Sequence, residues 1–320
     1  MIRHLTIASA AILALSASSA QATQATLARA WVSGHGTDAP GCGYLTTPCR
    51  QIAYVLNYGI VAPGGEIDIL DPSGFVPFTI AQAVSIINNG VGTVSIQQTT
   101  AGQDAITIAT TTSENITLRG LTLNGLGVAR NGIAVTSQLP PVFGARTINI
   151  IDCLVENFSD SGISVKPALA GGGSVPYISV NISNTFIVNN TINGAIFDPT
   201  AINTSTTIYN STISGNSNGL NINGTHGSMS AYVIKSNIDH NGIGGGSGIA
   251  ISGSYIILKN SSVLSNNQFN GNDILNTSST MMLVNNNLIG GVSNNGNGYT
   301  DNSNYISHII GSALTFSPLQ

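Results

Sequence analysis

The sequence predicts an all-β protein: a right-handed, single-stranded parallel β-helix, or solenoid, with a short N-terminal capping helix. Three observations predict it. Hydrophobic residues make up 42% of the 320 residues and charged residues only 7%, against ~25% charged in ordinary soluble domains, so the chain can fill a core while carrying little charge. Apolar residues recur in register at a period near 25 residues. Gly, Asn and Asp recur at the same period, where a coil needs corners.

The N-terminus reads as an export signal. Arg3 and His4 precede an apolar run over residues 5–15, too short to span a bilayer, and Ala20-Gln21-Ala22 supplies small residues at a cleavage site. Residues 1–22 are therefore expected to be a signal peptide. No later apolar run is long enough for a membrane span. Loss of Arg3 leaves 8 basic against 13 acidic residues, a formal charge of −5. No basic stripe survives, so nucleic acid is not an expected partner. Export to the periplasm or the extracellular space is oxidising, and Cys42 and Cys49 are expected to form a disulfide.

Residues 23–63 do not repeat. Residues 30–33 read as a strand and 34–43 as a loop. Thr47 then reads as a helix N-cap with Pro48 in the first helical position. Ile52, Val55 and Leu56 fall on one helix face, and Gly59 is the expected stop. Such an amphipathic helix needs an apolar surface, and the open first coil of a solenoid supplies one.

Residues 64–299 are expected to form the coils. Leu123, Val155, Ile187, Ile213, Ile238, Val263 and Leu288 define one apolar column. Five residues earlier lie Leu118, Ile150, Ile182, Ile208, Val233, Leu258 and Leu283; seven earlier, Ile116, Ile148, Val180, Thr206, Ala231, Ile256 and Met281. Two earlier lie Leu121, Cys153, Thr185, Ser211, Ser236, Ser261 and Asn286, mostly small, which places Cys153 in the interior as a buried hydrophobe. The two pairs of columns have opposite strand parity, so a bend must separate them.

Gly120, Asp152, Asn184, Asn210, Lys235, Asn260 and Asn285 occupy that bend, and all but Lys235 are types that tolerate a left-handed backbone. Asn190, Asn216, Asn241 and Asn266 recur three residues past the reference column. Stacked Asn side chains are expected to form ladders at Asn184, Asn210, Asn260 and Asn285, and at Asn190, Asn216, Asn241 and Asn266.

A third strand follows in each coil, as in Gly132-Ile133-Ala134-Val135 and Gly162-Ile163-Ser164-Val165. Residues 66–70, 93–96 and 105–108 belong to earlier, less regular coils. Residues 300–320 break the pattern and are expected to cover the far end.

With these motifs in place, the chain resembles exported bacterial β-helix proteins of the pectin-lyase-like superfamily. Trp31-Val32-Ser33-Gly34, Pro48-Cys49-Arg50 and Pro63-Gly64-Gly65-Glu66-Ile67 are similar to their opening segment, and residues 115–125 to their first regular coil. The resemblance implies the fold over nearly all the mature chain. Members include polysaccharide lyases, polygalacturonases, epimerases, phage tailspikes and proteins without an assigned reaction, so it does not fix an activity. It also implies that a substrate would lie across the outer face of the third strand.

On that face alternation places Ala134, Ser164, Ile196, Asn221 and Ala250, then Thr136, Lys166, Asp198, Asn223 and Ser252. Only Lys166 and Asp198 carry charge. Glycoside hydrolysis usually needs two carboxylates, and a calcium-dependent lyase needs several oxygen ligands. Lys166 and Asp198 are thus the candidate catalytic pair, and a surface ion pair is the plainer reading of both. Arg130 with Asp160 reads as another ion pair, and Asp239-His240 as a solvated stretch. Thr225-His226-Gly227 and the pair His35 and Asp38 fall short of any set. No cofactor and no metal is expected. Two insertions, at about 136–146 and 166–177, are adjacent in the stack. The sequence thus predicts an exported, non-catalytic scaffold that binds polysaccharide or serves as a surface element. The alternative is a lyase, hydrolase or epimerase acting on uronate-type polysaccharide.

Overall fold

Each coil of the body consists of three short strands joined by bends, as in Asn203–Tyr209, Thr212–Ser214 and Asn218–Asn223. Stacking the coils forms three parallel sheets of twelve, ten and ten strands. The structure, a computed structural model, describes residues 26–111, 115–139, 145–171, 175–242, 244–266, 272–301 and 303–317. The expected signal peptide lies outside them.

The apolar columns pair in the predicted register. In the first sheet Ile148 faces Ile116 and Val180, and Val180, Thr206, Ala231, Ile256 and Met281 continue the file. In the second sheet Leu123, Val155, Ile187, Ile213, Ile238, Val263 and Leu288 do the same. All are buried in one continuous core. Thr206 can sit buried in an apolar file because its hydroxyl donates to the Val180 carbonyl at 3.0 Å.

The bends explain the polar columns. Gly120, Asp152, Asn184, Asn210, Lys235, Asn260 and Asn285 all have φ between 48° and 71°. A second left-handed column holds Asn157, Asn189, Gly215, His240 and Ser265. The small column is a hydroxyl ladder. The backbone N–H of Thr185 donates to Ser211 Oγ (3.2 Å), that of Ser211 to Ser236 Oγ (3.3 Å), and that of Ser236 to Ser261 Oγ (3.2 Å). Each hydroxyl returns its proton to the carbonyl two residues back, as Ser236 does to Ile234 at 3.0 Å. Cys153 is buried among these, and burial pushes its thiol up to about 11.

Two Asn files run along the coils. Asn190 Nδ2 donates to Asn216 Oδ1 (3.0 Å), Asn216 to Asn241 (2.8 Å) and Asn241 to Asn266 (3.0 Å). All four are buried. Asn266 in turn donates to the buried Asp273 carboxylate at 3.0 Å. Gly290 N–H also donates to Asp273, which is why a carboxylate can end the file inside the protein. The other file is exposed. Asn210 donates to Asn184 (2.7 Å) and Asn285 to Asn260 (2.9 Å), with Lys235 interrupting between them.

The head departs from expectation at the helix start. The helix is Ile52–Asn57 with Gln51 as N-cap, so neither Thr47 nor Pro48 opens it. Cys49 is held extended: it bridges to Val32, donates its N–H to the Trp31 carbonyl (3.0 Å) and accepts from Ser33 N–H (2.9 Å). The chain cannot turn helical until it clears that strand edge. Asp38 Oδ1 then receives the N–H groups of Arg50 (2.8 Å) and Gln51 (3.0 Å). Ile52 and Val55 are buried, whereas Leu56 is half-buried. Gly59, with φ of 61°, ends the helix. Cys42 and Cys49 are joined by a disulfide.

The C-terminal segment also differs. Residues 303–317 continue the stack. Tyr305–Ile306 joins the second sheet, Ile309–Gly311 the third and Thr315–Phe316 the first. Asn287 pairs with Tyr305, a coil of 18 residues in place of 25. The shorter turns hid its period.

Candidate functional site

The third sheet positions the predicted pair. Val135, Val165 and Phe197 pair in register, and the next backbone N–H groups, of Lys166 and Asp198, donate to the coil before at 3.0 and 2.9 Å. Lys166 and Asp198 therefore stand one coil apart on the outer face. They do not form an ion pair among the described residues. Asp198 Oδ1 instead accepts from Asn223 Nδ2 at 3.0 Å and lies 3.4 Å from His226 Nδ1. Asn223 Oδ1 accepts from Thr225 N–H (3.1 Å), Thr225 Oγ1 (2.6 Å) and Ser252 Oγ (3.1 Å). The geometry favours the neighbouring coil because Asn223 reaches Asp198 with a short, rigid amide, while an exposed Lys gains little from fixing its long side chain.

His226 joins this cluster through a turn. Strand parity gives no direction for a turn residue, which is why a lone His-Gly carried no signal. The cluster offers hydroxyls, amides, one imidazole, one ammonium and one carboxylate. That inventory can donate and accept hydrogen bonds across a polar face.

Further back along the same face, Ala134 and Ser164 are buried rather than facing solvent. Their coils carry the two insertions, whose Gln138–Leu139 and Ala168–Leu169 pair as a small parallel sheet. Residues 140–144 and 172–174 of those insertions lie outside the described residues.

The remaining candidates resolve as structural contacts. Arg130 pairs with Asp104, not Asp160: its Nη2 and Nε lie 2.6 and 2.9 Å from the two carboxylate oxygens. A two-point guanidinium–carboxylate fit of this kind is a strong, charge-assisted contact. Asp160 accepts from Ser161 Oγ at 2.8 Å. His35 and Asp38 are not brought together. His35 Nδ1 lies 3.3 Å from Asp71, while Asp38 holds the helix entry. Cys42 and Cys49 lie near Asp38, but their disulfide removes them as metal ligands. Asp239 receives Asn237 Nδ2 at 2.8 Å, and His240 lies 3.6 Å away.

A second concavity lies across the corner between the first and second sheets. It is a groove of about 430 Å³ lined by residues of four successive coils. Asn184, Asn210, Lys235 and Asn260 form its corner side, and Phe186, Thr212, Asn237 and Ser262 its sheet side. Phe186 is 54% exposed.

The sequence matches no family model and no curated protein. The structure is similar to that of a pectate lyase, with a TM-score of 0.57, 12% identity, and coverage of 92% of this chain and 78% of the other. This chain has a parallel β-helix fold, which it shares with that lyase. Two more distant similarities are to a rhamnogalacturonan lyase (TM-score 0.49, 13% identity, 85% and 75% covered) and to the A-module of an Azotobacter vinelandii mannuronan C-5 epimerase (0.47, 14%, 82% and 84%). Among the described residues of this β-helix, no helix is long and apolar enough to cross a membrane.

Proposed function

We propose that the protein is an exported, non-catalytic, polysaccharide-binding β-helix, with its short helix closing the first coil and residues 1–22 directing export. One observation carries this reading. The polar cluster on the third sheet contains a single carboxylate, Asp198, already engaged by Asn223 and His226. Acid–base cleavage of a glycosidic bond usually needs two carboxylates, whereas binding needs only the amides and hydroxyls present. The fold it shares with a pectate lyase supports a carbohydrate ligand, and the Cys42–Cys49 disulfide supports an oxidising compartment.

Glycan arrays probed with the purified mature protein test this. Retention of a polysaccharide without release of products is expected; absence of binding to every glycan refutes it. The alternative, a lyase, hydrolase or epimerase acting on uronate-type polysaccharide, is favoured by the contact of Asp198 with His226 Nδ1, which would leave Nε2 to take a proton. Incubation with polyuronides and assay of unsaturated products, new reducing ends and altered uronate composition discriminates. Turnover that disappears in Asp198→Ala, His226→Ala or Lys166→Ala would replace the non-catalytic reading.

A further inference from the structure

The corner groove holds a residue that its local structure disfavours. Every other residue of the left-handed corner column is Gly, Asp or Asn, yet the groove's centre has Lys235 at φ 51°. A side chain without a short polar group gains nothing from that backbone. Lys235 also splits the exposed amide ladder: Asn210 bonds back to Asn184 and Asn285 to Asn260, but no amide bridges Asn210 and Asn260. A violation of a local rule that the rest of its own column obeys points to function.

The surroundings of Lys235 indicate what it is for. Its ammonium lies 5.6 Å from the centroid of the Tyr209 ring and 3.5 Å from its hydroxyl, so an aromatic support holds the cation at the groove. Lys259 is exposed one coil further on, in the file of Tyr209 and Ile234. Of the nearby acids, Asp239 is engaged by Asn237, and Asp152, one coil before Asn184 in the corner column, is neutralised by Arg119 at 3.1 Å and bonded by Asn184. The rest of the lining is amide and hydroxyl, with the exposed Phe186 ring at one end. Four coils at ~4.8 Å between neighbours give a track of about 14 Å along the stacking direction.

We propose that this corner groove is a second glycan site. It would bind an extended sugar chain bearing acidic groups, aligned with the stacking axis. Phe186 stacks on a ring, the Asn and Ser/Thr files bond hydroxyls, and Lys235 reads a carboxylate or sulfate. The proposal rests on the polysaccharide-binding reading and places the chain on a different face from Asp198.

Calorimetric titration of the mature protein tests it, with polygalacturonate against its methyl ester and dextran sulfate against dextran. Each pair shares a backbone and differs in charge. At least one charged polymer is expected to bind more tightly than its neutral counterpart. Lys235→Asn should weaken that binding about tenfold, the loss of one charge-assisted contact. It should also raise the urea midpoint, because Asn can complete the ladder. Phe186→Ala should weaken charged binding at least about fivefold, the loss of an aromatic anchor. Sulfated and carboxylated polymers that both bind identify the groove as a general anion reader; one alone identifies the preferred group. If binding survives both variants but falls in Asn223→Ala, the groove proposal fails and the polysaccharide reading stands. Neutral polymers bound as tightly as charged ones also overturn it. If none of the four polymers binds, the groove proposal fails, and the polysaccharide reading is then decided by the array.

Discussion

Removing one amide from the buried Asn file should destabilise the protein far more than removing one from the surface. Asn216 is fully buried. Its Oδ1 accepts from both the backbone N–H (2.9 Å) and Nδ2 (3.0 Å) of Asn190. Its Nδ2 donates to Asn241 Oδ1, to Ser214 O (3.0 Å) and to Ile187 O (3.3 Å). In Asn216→Ala two donors of Asn190 lose their acceptor inside the buried core. At ~1–3 kcal/mol for each buried group left unsatisfied, the loss is about 4 kcal/mol. Ala brings no backbone strain here, since Asn216 is not among the left-handed residues. With a urea dependence of about 3 kcal/mol/M or more for a chain of this size, the midpoint should fall by about 1 M. Asn221→Ala in the same coil is the control. Asn221 is half-buried and has one 3.5 Å contact, to Asn193 Oδ1, so its removal should cost under ~0.5 kcal/mol. Urea unfolding followed by circular dichroism gives both midpoints, and hydrogen exchange at the Asn190 amide gives the local effect. Equal midpoints for the two variants, with Asn190 protection intact, would refute the argument.

Two further outcomes follow from the head. Burial raises the Asp71 carboxyl, but hydrogen bonds from Ser33, the Gly34 N–H, Ser73 and His35 outweigh it and hold it well below the usual carboxylate range. A depressed folded pKa means stability that is present above the unfolded value of ~3.9 and is lost as pH falls further. Asp71→Asn should therefore be less stable at pH 7, and its difference from wild type should shrink below about pH 4; a constant difference from pH 7 to 3 in urea titrations would contradict this. The Cys42–Cys49 disulfide closes a short loop, with a sequence separation of 7. Chain-entropy accounting gives about 2.5 kcal/mol for a loop of that size. A reductant, or Cys42→Ser with Cys49→Ser, should lower protection of the helix Ile52–Asn57 in hydrogen exchange, and unaltered protection would show that the loop is already fixed by Asp38.

The repeat was legible because each interior position is filled by the same kind of side chain in every coil. Parity along Ile148 and Ile150, against Cys153 and Val155, placed a bend between two strands, and Gly120 to Asn285 showed where. The sequence did not separate a buried amide file from an exposed one, since Asn is common in both. Burial of Asn190 to Asn266 depends on the second left-handed column, which includes His240 and Ser265 and so has no compositional mark. The final coil escaped notice because 18 residues do not fit a 25-residue period. On the third sheet, parity placed Lys166 and Asp198 on one face. It could not show that Asn223 and His226, contributed by the next coil and its turn, would take the carboxylate. The corner groove was unread for a similar reason: Phe186, Tyr209 and Lys235 come from three coils, and each looks ordinary in its own strand.

The buried amide file has a direction. In every bond between its Asn residues Nδ2 donates towards the C-terminal end, and the two termini of the file are chemically unlike: Asn190 Oδ1 receives the Phe158 N–H at one end, and Asp273 receives Asn266 at the other. The file therefore has fixed stops. A coil copied from within residues 190–266 would present the same donor above and the same acceptor below, and could be spliced in as an interchangeable part. An Asn added to the file beyond Asp273 would meet a carboxylate where it needs an amide. The length of this buried file, though not of the solenoid, whose coils continue past Asp273, is thus set by its end groups, in the way that a polymer's length is set by the units that terminate it.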